Sequence, residues 1–196
     1  MYKQLITSYK PEHRDQCLDA AKAALAAGFT AIQLSWDGND LETFELGAKL
    51  RSLTWAAGAA LVVNNRLDLA LALEADALHL GQSDMPADVA RRLLPEHMQL
   101  GLTVGSLEEL LEADHLPVDY YGVGAVYGSK TRNVAPIGLK ALAAIVSHTS
   151  RPVVAIGGIT RKEVPQVLAV GAVGFAVVGA VYDSPCKLTA AMRLIP

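Results

Sequence analysis

A short apolar run that ends in two carboxamides and a guanidinium is the first candidate site for chemistry. In "LVVNNRLDLALA" (residues 61–72) the run stops at Asn64, Asn65 and Arg66, and a helical pattern follows. Carboxamides and a guanidinium hold polar ligands through hydrogen bonds. An Asp at either Asn position would instead indicate a ligand for a hard cation, which prefers charged oxygens. The segment therefore predicts a hydrogen-bonding corner with, at most, a weak metal site.

Two glycine-containing turns are candidates for a phosphate site. "PVVAIGGITRKEV" ends an apolar run in Gly157-Gly158 before a helix expected near Thr160, and "GFAVVGAVYDSP" opens a single helical turn at Gly179-Ala180. Glycine lets the backbone come close to a ligand, and the first N–H groups of a helix lack internal partners and favour anions. We interpret both turns as parts of one phosphate site. The alternative is that Gly-Gly only makes a tight turn.

A long segment near the middle of the chain carries hydroxyls and cations in a row. "GAVYGSKTRNVAPIG" (124–138) contains Ser129, Lys130, Thr131 and Arg132. A guanidinium binds phosphate oxygens in a bidentate manner. We therefore predict a flap that binds an anion, with a solvated surface loop as the alternative.

The elements that must position these residues follow a strand–helix rhythm repeated eight times. The predicted strands are 4–7, 31–35, 61–64, 77–80, 100–103, 120–124, 152–156 and 174–178. The predicted helices are 13–27, 40–57, 67–74, 86–94, 106–113, 138–147, 161–170 and 187–194. Nearly continuous apolar strands are typical of a parallel sheet covered on both faces. The pattern predicts an α/β protein, a single-domain (β/α)₈ TIM barrel over residues 1–196. A doubly wound open sheet is the runner-up, but no G-x-G-x-x-G follows the first strand.

In such a barrel, chemistry belongs at the carboxyl ends of the strands and the loops that follow them, here called the rim. Small, hydrogen-bonding and basic residues are predicted to collect there. They are Thr7, Ser8, Gln33, Ser35, Asp37, Asn64, Asn65, Arg66, His79, Gln82, Asp84, Thr103, Gly124, Ser129, Lys130, Thr131, Arg132, Gly157, Gly158, Gly179 and Ala180.

Composition excludes several classes of function. The 196 residues are 52% hydrophobic and carry a net charge of -3, without a basic cluster for nucleic acid. The apolar runs are far shorter than the roughly 20 residues that a membrane span needs. The cysteines Cys17 and Cys186 lack metal spacing, and the amino-terminal residues do not resemble a signal peptide. We expect a cytoplasmic protein with neither nucleic acid nor membrane as a partner.

The order of motifs resembles the thiamine-phosphate synthase family, which includes related thiazole tautomerases. The matching segments are "TAIQL", "VVNNRLDLALALEADALHLGQSDMP", "YYGVGAVYGSKTR", "VVAIGGIT" and "AVVGAVYDSP". The resemblance covers nearly the whole chain and implies a (β/α)₈ barrel that is usually a homodimer. It implies a small phosphorylated heterocycle as ligand. The synthase joins hydroxymethylpyrimidine diphosphate to a thiazole phosphate and releases pyrophosphate with the help of Mg²⁺.

The resemblance assigns roles to individual positions. Gly158 matches the phosphate-binding glycine, Asn64 an Asn that contacts the pyrimidine, and Asp84 one of two Mg²⁺-binding carboxylates. The remaining matches are Ser129 and Thr131 for a hydroxyl pair, Arg132 for a Lys that contacts the diphosphate, and Thr103 for a Ser.

The diphosphate side departs from the family pattern. After the second strand the family has Gln-x-Arg-x-Lys, whereas this chain has Gln33-Leu34-Ser35-Trp36-Asp37, and Asn65 replaces the other metal-binding Asp. Mg²⁺ would thus be held weakly, by Asp84. Single groups that stabilise developing charge contribute ~3–4 kcal/mol each to catalysis. We therefore expect impaired synthase activity.

Three hypotheses stay open. The first is a divergent enzyme that acts on a thiazole phosphate by proton transfer, with His79 and Arg132 as catalytic candidates; for His79 a structural role is the alternative. The second is an active synthase in which Lys130, Arg132 and Arg66 replace the lost cations, although Arg66 could instead pair with Asp68 or Asp40. The third is a non-catalytic binder or sensor that keeps the phosphate site. Trp36 is predicted either to contact a heterocycle or to pack, and Trp55 to pack.

Overall fold

Eight parallel strands close into a barrel in sequence order, as the sequence predicts. The computed structural model describes residues 1–7, 15–128 and 134–195. The strands are β1 (Tyr2–Ile6), β2 (Ala31–Leu34), β3 (Ala60–Asn64), β4 (Ala77–Leu80), β5 (Gln99–Val104), β6 (Tyr120–Val123), β7 (Val153–Ile156) and β8 (Gly174–Val177). Pairing of β1 with both β2 and β8 completes the closure. The (β/α)₈ barrel is therefore confirmed.

A helix follows each strand and covers the outside of the barrel. The helices are α1 (Cys17–Ala26), α2 (Asp40–Ala57), α3 (Leu67–Ala72), α4 (Ala87–Leu93), α5 (Leu107–Ala113), α6 (Gly138–His148), α7 (Val164–Ala169), α8 (Gly179–Tyr182) and α9 (Lys187–Arg193). The helix α2 begins after Asn39, whose side chain accepts a hydrogen bond from the Glu42 amide, and ends at Gly58 with a φ of 63°. Such caps satisfy backbone groups that the helix itself leaves unpaired.

Several bounds differ from the prediction, including the start of α1 at Cys17 within the predicted 13–27. The strand β1 begins at Tyr2, two residues early, because "YKQ" alternates instead of continuing the apolar run. The helix α7 begins at Val164 because a turn closed by the Thr160 carbonyl precedes it, with Pro165 in the first helical turn. Trp55 was expected to pack but is 77% exposed, with its ring 5.2 Å from the Arg51 guanidinium carbon.

The two faces of the strands have different neighbours. Outward-facing side chains such as Leu5, Ile32 and Phe175 join the helices in the main hydrophobic core. The opposite face, which lines the barrel interior, forms two small apolar clusters. The interior also holds polar side chains, of which Gln4, Gln33 and His79 are buried. The candidate site therefore stands above an interior that combines apolar clusters with a few buried polar side chains.

The sequence predicts no membrane-spanning segment. Among the helices in the described parts of the chain, none is both long enough and apolar enough to cross a bilayer.

Candidate active site

Three carboxamides form a hydrogen-bonded row across the first three strands. Gln4 Nε2 on β1 donates to Gln33 Oε1 on β2 at 2.5 Å, and Gln33 Nε2 donates to Asn64 Oδ1 on β3 at 3.0 Å. Gln4 is 2% and Gln33 5% exposed, whereas Asn64 at the strand end is half-buried. The row leads from the barrel interior to the rim. It brings together the predicted residues Gln33 and Asn64 and adds Gln4, which the sequence reasoning missed.

His79 lies inside the barrel with both ring nitrogens in contact with hydroxyl groups. Its Nδ1 is 3.2 Å from the Tyr120 hydroxyl oxygen, and its Nε2 is 2.8 Å from Thr103 Oγ1. Only glycine fits beside the ring, since a Cβ at Gly101 would lie 2.6 Å from Nδ1 and one at Gly122 2.9 Å from Cε1. These contacts favour the structural alternative for His79, and its catalytic role stays a prediction.

Tyr120, which contacts His79, keeps its hydroxyl proton. Burial, together with the smaller effects of Tyr2 and Asp119, raises the pKa of Tyr120 well above its ordinary value. The phenol is therefore protonated across the physiological range, and its hydroxyl contacts Nδ1 of the imidazole. Sequence reasoning passed over this residue, because a Tyr at the start of an apolar run is read as ordinary core.

Gln82 and Asp84 shape the loop after β4. Gln82 Nε2 donates to the Thr103 carbonyl oxygen at 2.7 Å, which ties this loop to the end of β5. Asp84 Oδ2 accepts from the Gly81 amide at 2.7 Å. The other carboxylate oxygen of Asp84 forms no protein hydrogen bond in the described parts of the chain. Asp84 is thus held in place with one oxygen available to a ligand.

The family resemblance implies a Mg²⁺ ion, and the residues near Asp84 show whether one could be held here. Within the residues that the structure describes, no three His, Cys, Asp or Glu side chains gather as a metal site. Mg²⁺ usually keeps several waters and binds through one or two carboxylates together with substrate phosphates. Asp84, with its available oxygen, fits that mode of binding.

Asn65 and Arg66 differ in what they offer at the end of β3. Asn65 is exposed and has a φ of 54°, a conformation that Asn and Asp tolerate better than most residues. The Arg66 guanidinium donates to Asp68 at 2.9 and 2.6 Å and to Asp40 at 2.9 Å. The bond to Asp68, and then that to Asp40, raises the pKa of Arg66, and Arg66 lowers the pKa of Asp68. The ion-pair alternative for Arg66 is the one that the structure contains.

Replacing Arg66 by Ala should therefore leave ligand binding at the rim nearly unchanged. The guanidinium is saturated by two exposed carboxylates, and such surface pairs contribute about 0–1 kcal/mol to stability. We expect the dissociation constant for hydroxymethylpyrimidine diphosphate, the substrate that the family resemblance implies, to stay within roughly threefold of that of the unmodified protein. The loss of unfolding free energy, measured by denaturant titration, should be no more than about 1 kcal/mol. A tenfold or larger loss of affinity for this ligand, absent in Asp68→Asn, would mean that Arg66 contacts it.

The glycine turns after β7 and β8 contain backbone amides that have no acceptor among the described residues. Gly157 and Gly158 have φ values of 98° and 67°, which strongly favour glycine. In the described parts of the chain, the amides of Gly158, Gly179 and Ala180 donate to no protein acceptor. The helix dipole contributes less than predicted, because α7 begins at Val164 rather than near Thr160.

The loop after β6 returns to its own starting point beside Gly158. The Ile137 and Gly138 amides donate to the carbonyls of Ala125 and Val126 at 2.9 and 3.0 Å. A Cβ at Gly158 would lie 2.9 Å from the carbonyl oxygen of Gly128. Both ends of this loop therefore adjoin the glycine turn. The predicted flap residues Ser129, Lys130, Thr131 and Arg132 lie outside the described residues.

Ser35 and Trp36, which follow β2 and depart from the family pattern, are both held by contacts within the protein. Thr7 Oγ1 accepts from the Ser35 amide at 2.8 Å and donates to the Ser35 carbonyl oxygen at 2.9 Å. Trp36 packs against the main core and lies near Leu18 and Leu46. The packing alternative for Trp36 is therefore the one that the structure contains.

Comparison with known proteins identifies the family. The model of the thiamine monophosphate synthase family matches residues 4–181. A thiamine-phosphate synthase of Moorella thermoacetica is 45% identical over 180 residues, which cover 90% of this chain and 86% of that protein. Thiamine-phosphate synthase 1 of Aquifex aeolicus is 40% identical over 175 residues, or 88% and 81%. The structure of a thiamine phosphate pyrophosphorylase from Pyrococcus furiosus has a TM-score of 0.86 and 37% identity, covering 98% of this chain and 93% of that one. This chain therefore belongs to the thiamine-phosphate synthase family.

Proposed function

We propose that this chain is a thiamine-phosphate synthase, which joins hydroxymethylpyrimidine diphosphate to a thiazole phosphate and releases pyrophosphate. Relatives that carry this name are 45% and 40% identical to it over most of its length. The observation that carries the proposal is the pair of open donors on one rim. The Asn64 side-chain nitrogen and the Gly158 amide both lack a protein acceptor in the described parts of the chain. The Asn64 nitrogen suits a heterocycle, and the Gly158 amide suits a phosphate.

The residues of the rim would divide the work between the two substrates. Asn64, held by Gln33, orients the pyrimidine ring, and the amides of Gly158, Gly179 and Ala180 hold the thiazole phosphate. Positioning of this kind removes much of the entropic cost of bringing two reactants together. Asp84 is the residue that would hold Mg²⁺, which when bound neutralises negative charge on the departing pyrophosphate.

The diphosphate side of this site carries less positive charge than the family pattern. Ser35 is 8% exposed and bonded through its backbone to Thr7, and Asp37 places a carboxylate where the pattern has a Lys. Loss of charge stabilisation slows departure of the leaving group. We therefore expect a synthase with a low turnover number, which is how we interpret the divergence of this chain within its family.

A proton-transfer reaction on a thiazole phosphate has less support. Such an enzyme needs a side chain free to accept a proton at the substrate. Both ring nitrogens of His79 are hydrogen-bonded inside the barrel, at 3.2 and 2.8 Å. A non-catalytic binder would use the same open amides, and the assay below separates it from an enzyme.

The test is a synthase assay with both substrates, with Mg²⁺ and then with the metal removed by a chelator. We expect product and pyrophosphate in equal amounts, a turnover below about 1 s⁻¹, and loss of activity on chelation; the median for enzymes is near 10 s⁻¹. Calorimetric titration with the thiazole phosphate runs in parallel. Binding without any product would refute the synthase and favour the binder. Turnover near the median would refute the inferred impairment.

The homodimer stays a prediction of the family relationship. Helix α2 exposes the large apolar side chains Leu41, Phe44 and Trp55, which suits a contact with a second copy. Light scattering in solution measures the assembly directly.

A further inference from the structure

We propose that Gln4 is a positioning residue that sets which end of the Asn64 carboxamide faces the ligand. The inference rests on the proposed function, because it assigns the pyrimidine substrate to Asn64. It adds a residue two strands away from Asn64, buried in the barrel, to the determinants of ligand specificity. The chemical class that it selects is a heterocycle that presents a hydrogen-bond acceptor to β3.

The geometry of the row is continuous from the interior to the rim. Gln4 Nε2 is 2.5 Å from Gln33 Oε1, and Gln33 Nε2 is 3.0 Å from Asn64 Oδ1. The three residues lie on neighbouring parallel strands whose register pairs Ile6 with Gln33. Because Gln4 is 2% and Gln33 5% exposed, water cannot easily replace either bond.

The direction of the row fixes its open end. A carboxamide has an oxygen that only accepts and a nitrogen that only donates. Once Gln4 donates to Gln33, the Gln33 nitrogen is left to donate to the Asn64 oxygen. The Asn64 nitrogen then remains for the ligand, and it has no protein acceptor in the described parts of the chain. If the Gln4 carboxamide turned its oxygen toward Gln33, the carboxamides of Gln33 and Asn64 would have to turn over as well.

An open N–H donor discriminates between ligands. It can donate to a ligand whose ring nitrogen carries a lone pair. A ligand that presents an N–H group at the same place would find no acceptor there. A buried polar group without a partner costs binding free energy, so a site that donates rejects a ligand that also donates. Gln4 would thus act on specificity without contacting the substrate.

The test uses Gln4→Glu and Gln4→Met. A carboxylate only accepts, so the ionised form of the Glu variant should make Gln33 donate to it and should turn the Asn64 oxygen toward the ligand. The protonated form can donate to Gln33 and keeps the original direction. The KM for hydroxymethylpyrimidine diphosphate in Gln4→Glu should therefore be near that of the unmodified protein at low pH. We expect it to rise by roughly tenfold as the introduced carboxyl ionises. Gln4→Met should raise this KM by a few-fold without that pH dependence.

Two controls separate positioning from general damage. The KM for the thiazole phosphate should stay unchanged in both variants, because the variants act through Asn64 at the end of β3, four strands from the Gly157-Gly158 turn after β7 in the closed barrel. Gln99→Glu makes the same chemical change at the exposed first residue of β5 and should alter neither KM.

Failure of the proposed role of Gln4 can be distinguished from failure of the proposed synthase function. Calorimetric titration with hydroxymethylpyrimidine reads the Asn64 contact without any turnover. If the unmodified protein forms no product, the proposed function fails, yet a pH-dependent affinity loss in Gln4→Glu would still support the row. Equal changes in both KM values, or a loss of thermal stability with unchanged pyrimidine affinity, would overturn it. If Gln4→Glu does not fold, unchanged pyrimidine affinity in Gln4→Met overturns it as well.

Discussion

Combining Ser35→Arg, Asp37→Lys and Asn65→Asp should raise kcat/KM for the pyrimidine diphosphate by roughly a hundredfold. Each change restores a charge that the family pattern has and this chain lacks. The two cations would bind the diphosphate, and the carboxylate would join Asp84 in attracting Mg²⁺. Because single groups of this kind contribute ~3–4 kcal/mol, even partial success at three positions exceeds tenfold.

The structure suits all three substitutions. Asp37 and Asn65 are exposed, and Asp tolerates the φ of 54° at position 65 about as well as Asn does. Ser35 is buried and directly follows β2, where the strand meets the rim. Its backbone bonds to Thr7 do not involve the Ser35 hydroxyl and would survive.

The measurement is initial rate against pyrimidine diphosphate at saturating thiazole phosphate and Mg²⁺. A control variant, Ser52→Arg with Glu112→Gln, changes the net charge by the same amount at exposed positions on α2 and α5. We expect no gain in the control. A triple variant no faster than the control would show that residues 33–37 do not correspond to the Gln-x-Arg-x-Lys pattern.

The barrel could be predicted from the sequence because its elements are local. The apolar runs "LVVN" and "ALHL" stop at or just before polar residues, and these two became strands within a residue of the predicted bounds. The start of α7 could not be predicted, because Thr160 and Glu163 form a capping turn that has the same composition as a first helical turn. Periodicity alone does not distinguish the two.

The candidate site was predictable one position at a time but not as a network. Asn64 and Gly158 stand at strand ends and carry their own signals. Gln4 gives no such signal, because its partner Gln33 is 29 residues away in the chain and they meet only through the register of β1 and β2. Likewise, Tyr120 contacts His79 across 41 residues. Contacts of this range depend on barrel closure, which no local pattern contains.

Replacing Gly158 by Ala should raise the KM and the dissociation constant for the thiazole phosphate by roughly ten- to a hundredfold. The phosphate would lose a charge-assisted bond from the Gly158 amide, and such bonds contribute about 1.5–3 kcal/mol. The new Cβ would lie 2.9 Å from the carbonyl oxygens of Gly128 and Tyr127. Since those are backbone atoms, the turn must shift, and its amide moves with it.

Gly58→Ala is the matched control for this change. Gly58 has a φ of 63°, close to the 67° of Gly158, but a Cβ there meets nothing within 4 Å, and the residue ends α2 at the opposite end of the barrel from the rim. Both variants should lose about 1–2 kcal/mol of unfolding free energy from the left-handed backbone. Only Gly158→Ala should weaken thiazole phosphate binding, while the KM for the pyrimidine substrate stays within threefold. Equal affinity for the thiazole phosphate in the two variants would place the phosphate elsewhere on the rim.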